Sequence, residues 1–473
     1  MKLQIFDTLS RQVQTVEPMD GKSLGFYCCG PTVYAAAHIG NFRTFVVQDV
    51  FRRVAELSGI RVKHVRNITN VDDKTIRVSQ EQGLPLETFT RGWTEKFHRD
   101  CEALNLLPPQ VEPGAVEHIS EQISLIQSLI DKGVAYQAGD GSVFFRIDAF
   151  PEYGRLSGVK ERELTTDSAA QADDEYGRDS MADFALWKAA KPEDGENVWE
   201  SPWGPGRPGW HLECSAMSMK YLGPSFDVHS GGIDLAFPHH ENEIAQSEAC
   251  TGQTFCRLWF HVVHLMVDGK KMSKSLGNMY TLEDLEAKGF TPAEVRYGLI
   301  AGHYRKHLNF TVGALDAHRG NLQRLARLSE KIKNTLQVPG RSYEECCRAA
   351  EAAESLGRFA PSFDSLLDNL NVPKALGEMF RVAGEIEKNP ASIQEEDAQG
   401  LEKVLYAMGI ELPTLESAKV PKEVQTLAEE RQQARLEKRW EDSDRLRDAL
   451  KAKGWSVKDL PGGFELHQAG LDG

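Results

Sequence analysis

A strand, a helix and a second strand in close succession near the start constrain this chain more than any other feature. Gly25-Phe26-Tyr27-Cys28-Cys29 is a short apolar run halted by Gly30-Pro31, the mark of a buried strand. Arg43 to Leu57 then carries Phe45, Val46, Val50, Val54 and Leu57 at helical spacing, and Gly59 follows as a stop. Arg61 to Ile68 alternates apolar and polar residues at period two, as a second strand does. Strands joined through a helix run parallel, so the segment predicts an α/β fold with a Rossmann-like parallel sheet.

The 473 residues predict about three domains. The α/β rhythm breaks over 116–205 and resumes over 206–263, so a parallel-sheet domain split as 1–115 and 206–263 is expected around a connective insertion. Within that insertion Ala138-Gly139-Asp140-Gly141 before Val143-Phe144-Phe145 signals a hairpin. Glu161 to Glu196 holds 11 acidic and 4 basic residues and reads as a solvated, partly mobile acidic segment. Residues 264–318 form a region leading into an α-helical bundle over 319–413. A small mixed α/β domain over 414–473 ends in a helix followed by a hairpin.

Charge and cysteine content narrow the setting. The formal charge of −15 excludes a bulk polycation but leaves room for a local basic surface. No apolar run approaches the ~18 residues of a membrane span, so no membrane partner is expected. The start is charged too early for a secretory signal. Eight cysteines are too sparse for a disulfide scaffold. These readings point to a cytoplasmic protein whose special cysteines are metal ligands or reactive thiols.

Two elements carry phosphate chemistry. His38-Ile39-Gly40-Asn41 lies between the first strand and the long helix, where strand ends and helix N-termini receive ligands. Gly40 lets a phosphate approach the backbone, the helix amides favour its charge, and His38 can donate to phosphate oxygens. Lys271-Met272-Ser273-Lys274-Ser275 follows the apolar run Leu258 to Val267 and the turn Asp268-Gly269. Ammonium groups and hydroxyls in such a loop stabilise charge developing on a polyphosphate. In this order and on these elements the pair points to adenylyl transfer.

Phe237-Pro238-His239-His240-Glu241-Asn242-Glu243 is the sharpest metal-like string. Proline fits a helix start, and His239 and Glu243 then share a face at i, i+4 spacing, with His240 and Glu241 expected to point elsewhere. Cys29 and Cys214 can both reach the carboxyl edge of the sheet. Two thiolates, an imidazole and a carboxylate make a plausible zinc shell, while a His/Glu pair on a helix surface remains the plainer reading of the string alone.

Together these words resemble the class I aminoacyl-tRNA synthetases, and Pro208–Met217 and His229–Glu243 resemble the cysteinyl-tRNA synthetases among them. The resemblance runs nearly end to end. It implies that Cys29, Cys214, His239 and Glu243 hold one Zn²⁺, with Cys28 a plain strand residue. It implies that Gly30, Thr32, Thr69 and Trp210 line a cysteine pocket, and that Gly232 and Asp234 hold the ribose of ATP. His38, Lys271 and Lys274 would be catalytic, with Gly40, Asn41 and Ser273 also at the ATP. Asn41 departs from the histidine common at that position; asparagine keeps a donor but cannot carry a proton charge, so a binding role is assigned to it. The implied reaction joins L-cysteine to tRNA(Cys) through a cysteinyl adenylate, using ATP with Mg²⁺, and zinc selects cysteine over serine by taking its sulfur as thiolate. A monomer is expected.

His303 to Lys333 carries seven Lys or Arg against two acidic residues. Such a helix can track a phosphate backbone, and the resemblance places Arg305, Lys306, Arg319 and Arg324 on the tRNA stem. It also places Arg435 and Arg439 in a C-terminal module that reads the anticodon. A rival reading, an ATP-dependent ligase joining cysteine to a small amine, would share the catalytic half but lack that module.

Overall fold

Parallel pairing follows from the helical crossovers. In the computed structural model, which describes residues 2–158, 183–273, 276–415, 421–460 and 463–468, four parallel strands form the central sheet. Their order is Cys256–Val262, Phe226–Gly232, Leu24–Cys28, Val62–Arg66. Tyr27 lies opposite Val65 on one side and His229 on the other. The helix Ile39–Leu57 crosses from Leu24–Cys28 to Val62–Arg66, burying Phe42, Val46, Val50 and Val54 in the main core. The next pair of strands lies on the opposite side of Leu24–Cys28. The order in which strands are added therefore reverses between Leu24–Cys28 and Phe226–Gly232, and the crevice beyond their carboxyl ends is where such sheets bind ligands.

The two central strands approach closely past Cys29. Thr32 bridges Thr69, and the Gly30 N–H donates to Asn67 Oδ1 at 2.9 Å. A Cβ on Gly30 would collide with the Asn67 carbonyl, so this crossing needs glycine.

The insertion folds onto its own antiparallel sheet, Ala135–Gln137, Val143–Phe145, Phe184–Ala189 and Gly206–Pro208, against the helix Ile119–Asp131. This corrects part of the acidic-segment reading. Phe184–Ala189 is a strand with Leu186 and Trp187 fully buried, an apolar run that a charge count across a wide window conceals. The segment 159–182 lies outside the described residues. Asp73 of the parallel-sheet domain pairs with Lys188 at 2.7 Å and also with Arg207, tying the insertion to the segment after Thr69.

A second, three-stranded sheet sits beyond the first. Leu265–Val267 lies between Lys270–Lys271, antiparallel to it, and Leu308–Phe310, parallel to it. Helices follow, among them Ala314–Leu336, Val372–Lys388 and Glu395–Met408, whose apolar faces join the main core. Asp49 on the first long helix lies 2.7 Å from Arg53 and 2.5 Å from Arg296, a buried ion triad that fastens that helix to Pro292–Ile300. The chain divides into two compact units, Met1–Leu412 and Pro413–Gly473. In the second, the helices Lys422–Leu436 and Trp440–Ala452 pack Val424, Ala428 and Leu450 against Trp455 of a terminal hairpin. Among the described residues no helix is long and apolar enough to cross a membrane.

Candidate active site

Cys29 follows directly on the strand Leu24–Cys28. Cys214 lies in the helix Trp210–Leu222, and His239 and Glu243 lie in the first turns of His239–Thr251, with Pro238 just before it. These three elements meet at the carboxyl edge of the sheet. One donor atom from each of Cys29, Cys214, His239 and Glu243 lies within 4.8 Å of the others, and all four residues are buried. The two sulfurs are 3.9 Å apart, Cys29 Sγ is 3.9 Å from Glu243 Oε1, and His239 Nε2 is 3.1 Å from the same oxygen.

Burial pushes the Cys29 thiol up to about 12 and the Cys214 thiol well above its ordinary range. Against the same burial, His229 and His239 hold the Glu243 carboxyl down to about 2. In the bare chain both thiols are therefore protonated beside a buried carboxylate. A divalent cation among them would reverse the thiol preference, since coordination deprotonates a thiol. The donor set, two sulfurs with one nitrogen and one oxygen at tetrahedral count, suits zinc.

Two histidines at this centre escaped the sequence reading. His240, expected to point elsewhere, places Nε2 3.3 Å from Cys29 Sγ, and Cys29, His229, His240 and Glu243 form an alternative donor group. His229 Nε2 donates to Glu243 Oε2 at 2.8 Å. His240 Nδ1 lies 2.8 Å from His261 Nε2, and His211 Nδ1 lies 2.8 Å from His239 Nδ1. Such outer hydrogen bonds fix ring orientation around a metal. The adjacency of His239 and His240 and the word His229-Ser230-Gly231-Gly232 were the available signals.

Trp210 and Thr69, both expected in the cysteine pocket, lie beside residues of this centre. The Trp210 ring lies 4.4 Å from the His239 ring. The Thr69 hydroxyl donates to Glu213, a carboxyl that burial raises to about 8. Gly232 ends its strand, and the exposed Asp234 places Oδ1 3.8 Å from His264 Nδ1.

The two elements expected to bind phosphate are in contact. His38 caps the long helix, its Nδ1 accepting from the Asn41 N–H. A side chain on Gly40 would collide with the Met272 methyl. The Ile39 N–H donates to the Tyr280 carbonyl at 2.9 Å, and His38 bridges Thr281. Lys271 is exposed at the end of its strand, and the Asn278 side chain donates to the Lys271 carbonyl and accepts from the Ser273 N–H. Lys274 lies outside the described residues.

The arginines expected on RNA are mostly engaged within the chain. Arg319 pairs with Glu294 at 2.7 Å and Arg324 with Glu387 at 3.0 Å. The Arg305 guanidinium lies 3.4 Å over the Phe6 ring, and Lys306 is exposed. In the second unit Arg435 lies 3.3 Å from Asp459, and Arg439 pairs with Glu437 and Asp442 at 2.8 and 2.6 Å.

Comparison with known proteins follows the same division. Residues 15–319 match the family model for the tRNA synthetases class I (C) catalytic domain. Residues 417–464 match the cysteinyl-tRNA ligase anticodon binding domain. The chain is 51% identical to a cysteine–tRNA ligase of Opitutus terrae, over 99% of this chain and 100% of that protein. It is 43% identical to a cysteine–tRNA ligase of Protochlamydia amoebophila, over 98% of this chain and 97% of that protein. Among solved structures, Mycobacterium tuberculosis methionyl-tRNA synthetase in complex with methionyl-adenylate superposes with a TM-score of 0.59 at 17% identity. That match covers 82% of this chain and 89% of that one and reports a shared fold.

Proposed function

The chain belongs to the cysteine–tRNA ligases, class I synthetases that charge tRNA with cysteine, and on that premise we propose that it activates cysteine as an adenylate beside a zinc centre built from Cys29, Cys214, His239 and Glu243. The observation that carries this reading is the convergence of those four buried donors on the crevice between Leu24–Cys28 and Phe226–Gly232, the same sheet edge on which His38, Gly40 and Met272 meet. When bound there, zinc would take the substrate sulfur as thiolate and so favour cysteine over serine, whose hydroxyl is a far poorer ligand.

ATP enters with Mg²⁺. The cysteine carboxylate attacks the α-phosphorus, a new P–O bond forms, and the bond to the β-phosphate oxygen breaks to release pyrophosphate. The nucleophile is already ionised, so no general base is required. The His38 Nδ1 atom accepts the Asn41 N–H, which leaves the neutral ring its proton on Nε2, free to be donated to phosphate oxygens. Lys271 and Lys274 stabilise charge on the departing pyrophosphate, and Ser273 adds a hydroxyl. Gly232 and Asp234 receive the ribose hydroxyls. Trp210, Thr32, Thr69 and Gly30 bound the amino-acid pocket. The 2′-hydroxyl of the terminal tRNA ribose then attacks the adenylate carbonyl and releases AMP. Arg305 and Lys306 face the acceptor stem, and the second unit reads the anticodon.

The test is cysteine-dependent exchange of pyrophosphate into ATP, followed by charging of purified tRNA. Exchange with cysteine but not serine, then charging, is expected. Exchange without charging would return the amine-ligase reading, and a protein that charges tRNA with no adenylate detectable by exchange would overturn the two-step route.

A further inference from the structure

Arg43 is among the largest fully buried side chains, 1% exposed, on the long helix that His38 caps. Among the described residues no carboxylate pairs with it. A buried guanidinium without a counterion is costly unless its N–H groups are well bonded. Its two terminal nitrogens bond three backbone carbonyls, while Nε is buried without a partner among the described residues: Nη1 donates to His264 O at 2.9 Å, and Nη2 donates to Lys306 O at 2.8 Å and His303 O at 3.3 Å.

The location of those carbonyls gives the arrangement its meaning. His264 immediately precedes the strand Leu265–Val267, and Lys306 stands just before Leu308–Phe310, its parallel neighbour. One planar fork thus joins the starts of both strands to the helix of His38. Leu265–Val267 in turn pairs with Lys270–Lys271, so Lys271 belongs to the sheet whose base Arg43 holds. Directly after Lys271, the Met272 methyl packs against Gly40 at the start of the same helix. The base is held by hydrogen bonds and the tip by an apolar contact.

We propose that Arg43 is a positioning residue for adenylate formation, setting where Lys271 stands relative to His38 by clamping both strand starts at once. The proposal rests on the reading that His38 and Lys271 bracket the phosphates of ATP. It needs the guanidinium's shape as well as its charge. Lysine can neutralise the site but has no rigid fork to span three carbonyls.

The experiment compares full-length wild type, Arg43→Lys and Arg43→Ala in cysteine-dependent ATP–pyrophosphate exchange, with zinc content and melting temperature measured alongside. Misplacing reacting groups by about 1 Å costs on the order of 10²-fold in rate. Arg43→Lys should accordingly lose about that factor in kcat, with the KM for cysteine and the zinc content close to wild type. Arg43→Ala should lose more, and added methylguanidinium should restore part of the rate. Exchange by Arg43→Lys at the wild-type rate would overturn the clamp. So would loss of zinc, cysteine affinity and rate together in both variants with no rescue, which describes a residue needed only for folding. A wild type that shows no cysteine-dependent exchange would instead fail the adenylate reading on which the clamp depends.

Discussion

Asn41 and His38 close a reciprocal pair across the first turn of the long helix: Asn41 Oδ1 accepts the His38 backbone N–H at 3.1 Å, and His38 Nδ1 accepts the Asn41 backbone N–H at 3.2 Å. Two helix-end donors are satisfied at once, and the His38 ring, proposed to donate to phosphate oxygens, is fixed in one tautomer. This gives the asparagine a structural reason to stand where related motifs carry histidine. Asn41→Ala removes one of the two bonds and should cost about 1 kcal/mol of stability. Asn41→Asp keeps the acceptor and suits the helix dipole, so it should melt at or above wild type. It also sets a negative charge beside the proposed phosphate site, so its KM for ATP should rise about tenfold, roughly 1.4 kcal/mol. Melting temperature and exchange kinetics on the two variants separate capping from binding; parallel losses in both would sink the distinction.

Two donor groups share Cys29 and Glu243, and they make different predictions. With Cys214 and His239 as the other ligands, His239→Ala should leave the purified protein without stoichiometric zinc. His240→Phe then removes only a neighbour and should weaken metal binding by about 10-fold to 100-fold. Competition against a chromophoric chelator reads both affinities, and the opposite order would move the ion to His229 and His240. Cys214→Ala should lose zinc and cysteine affinity together.

His64 lies in the strand Val62–Arg66 with neither ring nitrogen hydrogen-bonded, stacked 5.0 Å from the Phe26 ring. Burial, with Arg66 and Arg52 nearby, drives its pKa well below the ordinary range. Below about pH 6.5 the unfolded chain takes a proton that the folded chain refuses, so stability falls as pH falls, by up to about 1.4 kcal/mol per pH unit. Above that pH the group contributes no slope. His64→Phe removes the proton uptake while keeping an aromatic ring. Urea midpoints at pH 7, 6 and 5 should show the variant gaining on wild type as the medium acidifies, and parallel profiles would exclude this histidine as a source of acid lability.

The parallel sheet was legible because apolar runs and a helical crossover are local patterns, and those of Phe26 and Val50 lie wholly within short windows. Cys29 and Cys214 needed the family resemblance, since 185 residues separate them and no spacing rule joins them. His240 was misplaced for a physical reason. The i, i+4 argument assumes a helix with one buried face, whereas every residue from His239 to Ser247 is buried. A helix surrounded on all sides presents adjacent residues to different parts of one centre, and Glu243 lies within 3.9 Å of His240 as well as 3.1 Å from His239. Arg43 was invisible because its partners are backbone carbonyls, which leave no signature in side-chain identity. The basic stretch after His303 promised more free charge than the fold leaves, because Glu294 and Glu387 reach Arg319 and Arg324 from elsewhere in the chain.

In the second unit Trp440 is 57% exposed and Leu436 69%, and the Arg435 guanidinium lies 6.0 Å from the Trp440 ring. The unit's core is built from Val424, Ala428, Leu450 and Trp455, so Trp440 is not needed to hold it together. An exposed indole beside an arginine plane is a stacking surface for unstacked bases, worth about 1–3 kcal/mol per base. Trp440→Ala should therefore leave cysteine-dependent exchange unchanged and raise the KM for full-length tRNA by about 5-fold to 150-fold. Trp440→Phe should recover most of that loss, because the stacking face survives without the indole N–H. A minihelix carrying only the acceptor stem should be charged equally by all three proteins. If Trp440→Ala impaired minihelix and full-length tRNA alike, the residue would act on the catalytic step, and if it impaired neither, the stacking surface would lie elsewhere on this unit.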